Sequence, residues 1–80
     1  MIEFAIKITT PGGAVIVSRI EKIAPEHYAQ FRFDLRSKIG HGNFSVIDED
    51  GDMTILPEEI MKNSIVQLVQ TNDVKYSYDV

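Results

Sequence analysis

The sequence predicts a two-layer α+β domain: a mostly antiparallel sheet in the order ββα and then further strands, with one helix packed on one face. Three observations carry that prediction. Apolar residues alternate at the start of the chain (Ile2, Phe4, Ile6, Ile8). A helical apolar stripe lies between Pro25 and Gly40, and an Asp-Gly pair separates two short apolar runs, 44–47 and 53–56. At 80 residues the chain makes a single domain, 1–80, and one this short buries only about two-thirds of its unfolded surface.

The first run, with Glu3, Ala5, Lys7 and Thr9 between the large apolar residues, reads as a strand with one buried face. Thr10-Pro11-Gly12-Gly13 then turns the chain. Proline suits the first central position of a type II turn, and Gly12 supplies the positive φ needed at the second. Ala14 to Ile20 is apolar on both faces and is therefore expected to be an interior strand. The glycine pair is not a phosphate cradle, because no Gly-Lys-Ser/Thr and no helix follows it.

Ala24-Pro25-Glu26 marks a helix start, and Arg36 and Lys38 fall in the last turn before Gly40, complementing the helix dipole. Tyr28, Phe31, Leu35 and Ile39 form its apolar stripe. Ala29, Phe31, Phe33 and Leu35 also alternate with period two, but length and end signals favour the helix. Phe33 then lies at the edge of the apolar face or outside it, which makes it a candidate contact residue.

"FSVIDEDGDMTILPEEI", residues 44–60, is the most distinctive segment. A calcium loop needs oxygen ligands at its first, third and fifth positions, glycine at the sixth and glutamate at the twelfth. With Gly51 sixth, Val46 and Pro57 fall at the first and last positions and neither side chain can ligate, so no metal is expected. Asp50-Gly51 predicts instead a two-residue type I′ hairpin, with Glu49 facing Asp52, Asp48 facing Met53, Ile47 facing Thr54 and Val46 facing Ile55. Phe44, Val46, Met53 and Ile55 would then form the core side, with the carboxylates crowded at the tip.

Pro57 to Asn63 predicts one short helical turn, closed by an asparagine in the left-handed region. Ser64 to Thr71 reads as a strand. The competing reading is a longer helix from Pro57 with Met61, Ile65, Leu68 and Val69 on one face. Asn72-Asp73 is a further turn signal, after which Val74, Tyr76 and Tyr78 alternate as a last strand.

The formal net charge of −4 is unevenly distributed: residues 19–41 balance to +2 (five basic, three acidic) and residues 42–80 to −6 (two basic, eight acidic). The acidic balance opposes direct binding of nucleic acid, whose affinity rests on phosphate contacts. His27 and His41 lack the spacing of a shared metal site, no serine has a nucleophile context, and paired acids such as Glu58 and Glu59 suit a helix start. The expectation is a protein that is not an enzyme and holds no metal or cofactor. Without cysteine there is no disulfide framework, and no run is long and apolar enough to cross a bilayer, so no membrane partner is expected and the cytoplasm is the default compartment.

"APEHYAQFRFDLRSKIG" followed by "NFSVIDEDGDMTILPEEIMKNSIVQLV" resembles the short, cysteine-free accessory proteins of bacteriophages and prophages, with the likeness covering residues 14–70. The resemblance implies a small module that binds a host or phage protein, and in some cases inhibits host defence. The expected contact residues are Asp48, Glu49, Asp50, Asp52, Glu58 and Glu59 in the acidic segment and Phe33 on the helix. Alternatives are an acidic inhibitor that mimics nucleic acid on a nucleic-acid-binding or defence protein, and a structural subunit assembled through edge-strand pairing. A homodimer is the expected form of self-association.

Overall fold

A computed structural model describes residues 1–71. They form β1 (Ile2–Thr9), β2 (Val15–Val17), β3 (Glu21–Ile23), α1 (Pro25–Lys38), β4 (Phe44–Ile47), β5 (Met53–Leu56), α2 (Glu58–Lys62) and β6 (Ile65–Gln70). The α+β class follows: two antiparallel sheets and a principal helix. The turn expected at Asn72-Asp73 and the strand through Val74, Tyr76 and Tyr78 lie outside the described residues. No described helix is long and apolar enough to cross a membrane.

β1 is the centre of the larger sheet. It pairs antiparallel with β2 and β3 along one side and with β6 along the other. The interior position expected for Ala14–Ile20 therefore belongs to β1. The second run is an edge, and Val15 and Val17 are exposed.

That edge is broken by a bulge. Lys7, Ile8 and Thr9 face Val17, Ile16 and Val15, but Ile2, Glu3 and Phe4 face Ile23, Lys22 and Glu21, so one extra residue enters the outer strand between the two registers. Ser18, 7% exposed, makes the break tolerable. Its N–H donates to Ile6 C=O at 2.9 Å, and its hydroxyl takes the place of a ladder carbonyl, accepting from Ile6 N–H at 2.8 Å and donating to Arg19 C=O at 2.9 Å. The bulge also turns Arg19 N–H outward to Ile47 C=O of β4 (2.9 Å), which ties the smaller sheet to the larger.

Two apolar clusters fill one face of the sheet. Ile2, Phe4 and Tyr28 meet under α1, with Ile23, Phe31 and Leu68 against them. Ile8, Val46, Leu56 and Met61 join the sheet to the β4–β5 hairpin and α2. α1 starts as its sequence dictates, with Pro25 in the first turn, and its buried stripe is Tyr28 and Leu35. Residues 57–71 are a short helix and then a strand. The single long helix is thus excluded, because β6 completes six residue pairs with β1. Asn63 closes α2 at φ −109°, not in the left-handed region, with its N–H on Ile60 C=O, the Ser64 N–H on Met61 C=O and its side-chain amide on Glu59 C=O.

Both hairpin loops depart from expectation in the same way. At the acidic tip Gly51 N–H donates to Asp48 C=O (3.1 Å) and Asp48 N–H to Asp52 C=O (3.0 Å), which closes a three-residue loop. In the first hairpin Gly13 N–H donates to Thr10 C=O and Thr10 N–H to Ala14 C=O, both at 2.9 Å. Only the last loop residue has positive φ, Gly51 at 86° and Gly13 at 93°, whereas a type I′ turn needs two such residues and a type II turn would have put it at Gly12. Each loop is a type I turn followed by a left-handed glycine bulge.

The extra loop residue shifts the register of the acidic hairpin by one: Ile47 faces Met53, Val46 faces Thr54, Ser45 faces Ile55 and Phe44 faces Leu56. A one-residue shift inverts a strand's faces. Met53 and Ile55, expected in the core, are each 59% exposed, while Leu56 is 4% exposed.

Candidate functional site

The acidic residues come together only in part. Asp48, Asp50 and Asp52 converge at the hairpin tip, one carboxylate oxygen from each lying within 4.8 Å of the others. The loop geometry causes this: Asp48 Oδ1 accepts from the N–H of Asp50 and of Asp52, 3.0 Å each, so its carboxylate is turned into the loop rather than toward solvent. Asp50 and Asp52 are exposed, as is Glu49 beside them.

Three converging carboxylates are ligand chemistry for a hard cation. The glycine-anchored count missed a spacing that a count from Asp48 brings out: Asp50 falls third, Asp52 fifth and Glu59 twelfth, as in a calcium loop. Met53 occupies the sixth position, where that loop needs glycine, and a strand rather than a helix leads into it. Glu59 on α2, His27 on α1 and His41 in the loop after α1 all stand outside the converging group.

Glu58 has another task. Its Oε2 lies 3.2 Å from Lys62 Nζ, and its Oε1 accepts from Gly42 N–H at 3.0 Å, which pins the loop after α1 to α2. The hydrogen bond from Lys62 and the charge of that ammonium hold the Glu58 carboxyl below its ordinary value, with smaller help from Gly42 N–H and His41. A depressed folded value stabilises above the unfolded value, and the contribution is lost as pH falls through the folded one. Glu58→Gln is therefore expected to lower the urea midpoint at neutral pH and to match the wild type in strong acid. Equal midpoints at neutral pH would refute the link.

Phe33 projects from α1 at 63% exposure, outside the buried stripe. The opposite face of the large sheet also carries exposed apolar residues, Val15 and Val17 on β2 and Ile65 and Val69 on β6, on either side of β1.

Sequence reasoning missed a third feature. A cleft of about 350 Å³ opens between the bulged edge and the hairpin. Phe4, Ile6, Phe31 and Val46 line its apolar floor, and the Arg19–Glu21 ion pair (2.9 Å) stands at its rim. Nothing in the periodicity announces it, because it depends on where Ser18 breaks the strand and where Arg19 meets Ile47. Ser18 lines the cleft with both hydroxyl bonds committed to the backbone, and Ser45 and Lys22 stand on its other sides.

Compared with models of protein families, with curated proteins and with solved structures, the chain finds no match.

Proposed function

We propose that the protein is a non-enzymatic protein-binding module that meets a basic surface on a host or phage protein through its acidic hairpin tip. One observation carries this reading: among the described residues none of Asp48, Glu49, Asp50 and Asp52 takes part in an ion pair, whereas Glu3, Glu21 and Glu58 each have a basic partner. Unpaired like charges on a tight loop repel one another, and an oppositely charged partner relieves that repulsion while steering the encounter. The same concentration of carboxylates supports the second reading, an inhibitor that stands in for phosphates on a nucleic-acid-binding protein. The cysteine-free composition fits a reducing compartment, and we place the protein in the cytoplasm. The exposed valines and isoleucine of the opposite sheet face support homodimer formation as its form of self-association.

The test is a pull-down from nuclease-treated bacterial lysate, eluted with rising salt, using the wild type and a Glu49→Gln, Asp50→Asn, Asp52→Asn variant. Asp48 is left in place because it holds the loop. The wild type is expected to capture a partner that leaves at moderate salt, and the variant to capture none. A nucleic-acid-processing partner selects the mimicry reading. Retention of the same partner by the variant refutes the acidic surface. The variant itself is expected to be slightly more stable at low salt, by roughly 0.2–1 kcal/mol, through relief of like-charge repulsion.

A further inference from the structure

We infer that the cleft between β3 and β4 is a second binding site, which takes an extended, uncharged, apolar segment of a partner protein as an inserted strand. The inference rests on the protein-binding reading above but uses a different surface. Thr71 N–H donates to Glu3 C=O, so the backbone of Glu3 faces β6, and by the alternation of an antiparallel ladder the backbone of Phe4 faces β3. Phe4 and Glu21 are thus the bonded pair, and the N–H and C=O of Lys22 point away from β1 along the outer edge of β3.

The same alternation applies across the cleft. Asp48 bonds Asp52, so Val46 with Thr54 and Phe44 with Leu56 are the bonded pairs, and the backbone of Ser45 points out of the hairpin. Ile47 obeys the rule visibly, since its outward C=O accepts from Arg19 N–H. Lys22 and Ser45 both line the cleft, so two strand edges border one apolar floor, held together at one end by the Arg19–Ile47 bond.

This is the complement of a strand. Exposed sheet edges bind extended peptides through main-chain bonds, with alternate side chains filling pockets between them. The volume of about 350 Å³ lies at the small end of ligand sites and suits a few apolar residues rather than a large ligand. Charge selects the same occupant: Arg19 and Glu21 neutralise each other at the rim, the Lys22 ammonium has Glu3 at 4.0 Å, and the apolar floor offers nothing to an ionic side chain.

The experiment is selection of a displayed library of random peptides on the wild-type protein, followed by amide NMR of the labelled protein with the enriched peptides. The expected result is enrichment of alternating apolar sequences that shift the amides of Lys22, Ser45 and Ile47. Ser45→Pro should weaken binding by about tenfold or more, because it removes an outward N–H without touching the ladder to β5. Should Ser45→Pro fail to fold, N-methylation of alternate amides in the peptide tests the same bonds with the protein unchanged and is expected to weaken binding in both registers, because an inserted strand bonds β3 through one set of amides and β4 through the other. No enrichment over a blank surface overturns the inference, as do enriched peptides insensitive to both changes. Peptides that shift only Glu49–Asp52 also overturn it, while upholding the acidic tip; peptides that shift the cleft alone leave the pull-down to decide the tip.

Discussion

Leu56→Ala is expected to lower the thermal midpoint by roughly 10–30 °C, and Ile55→Ala, one residue earlier, to leave it nearly unchanged. Leu56 is 4% exposed and packs with Ile8, Val46 and Met61, where the hairpin and α2 meet the large sheet. Truncating a leucine in such a place costs about 2–5 kcal/mol, through lost transfer energy and the cavity left behind. A domain of 80 residues holds only about 4–12 kcal/mol in all, so the variant approaches the limit of folding. Ile55 is 59% exposed, and surface changes of this kind stay within about 0.5 kcal/mol. The pair measures the hairpin register directly. With a two-residue loop the sensitivities would be reversed, and a large effect at Ile55 with a small one at Leu56 would overturn the structure described above.

Ser18→Ala is expected to cost about 1–3 kcal/mol, a midpoint fall of roughly 5–20 °C, although it removes a single oxygen atom. The loss arises at Ile6, whose N–H donates to the Ser18 hydroxyl inside a nearly buried bulge and would have no acceptor there. An orphaned buried donor costs its full desolvation, more than the net worth of the bond. Hydrogen exchange supplies the specific readout: the Ile6 amide should exchange faster in the variant by more than its near neighbours on β1. Unchanged stability and unchanged exchange at Ile6 would show that the backbone closes the bulge without the side chain.

Elements with an unbroken period were legible in the sequence. Alternation from Ile2 to Ile8 and the stripe through Tyr28 and Leu35 each reflect burial on one face, a property local enough to read, whereas the run after Ser64 does not alternate and left strand and helix both open until its pairing with β1 was seen. Crowding of carboxylates at the tip was legible as well, but not which of them converge, since Asp48 meets Asp50 and Asp52 through the three-residue loop. Loop type was not. Both kinds of hairpin loop place glycine last, and what separates them is the sign of φ one residue earlier, which Asp50 tolerates either way. Ser18 was illegible for a different reason, because its partner Ile6 is twelve residues away and a lone serine between apolar runs carries no period. β3 was hidden by Glu21 and Lys22, polar residues on an edge whose pairing with β1 only the bulge permits. Glu58 looked like surface charge until the loop bearing Gly42 was placed beside it.

The position of β1 has a consequence for how the chain is made. Its first neighbour, β2, follows within a few residues, but its other neighbour, β6, begins only at Ile65. During synthesis one side of the central strand must wait, with Ile6 and Ile8 partly uncovered, until most of the chain has emerged. Closing so distant a pairing loses chain entropy before any contact is gained, which slows folding relative to a helical domain of equal size. The nascent protein therefore passes through a stage in which its most apolar strand offers an open edge to any other chain nearby.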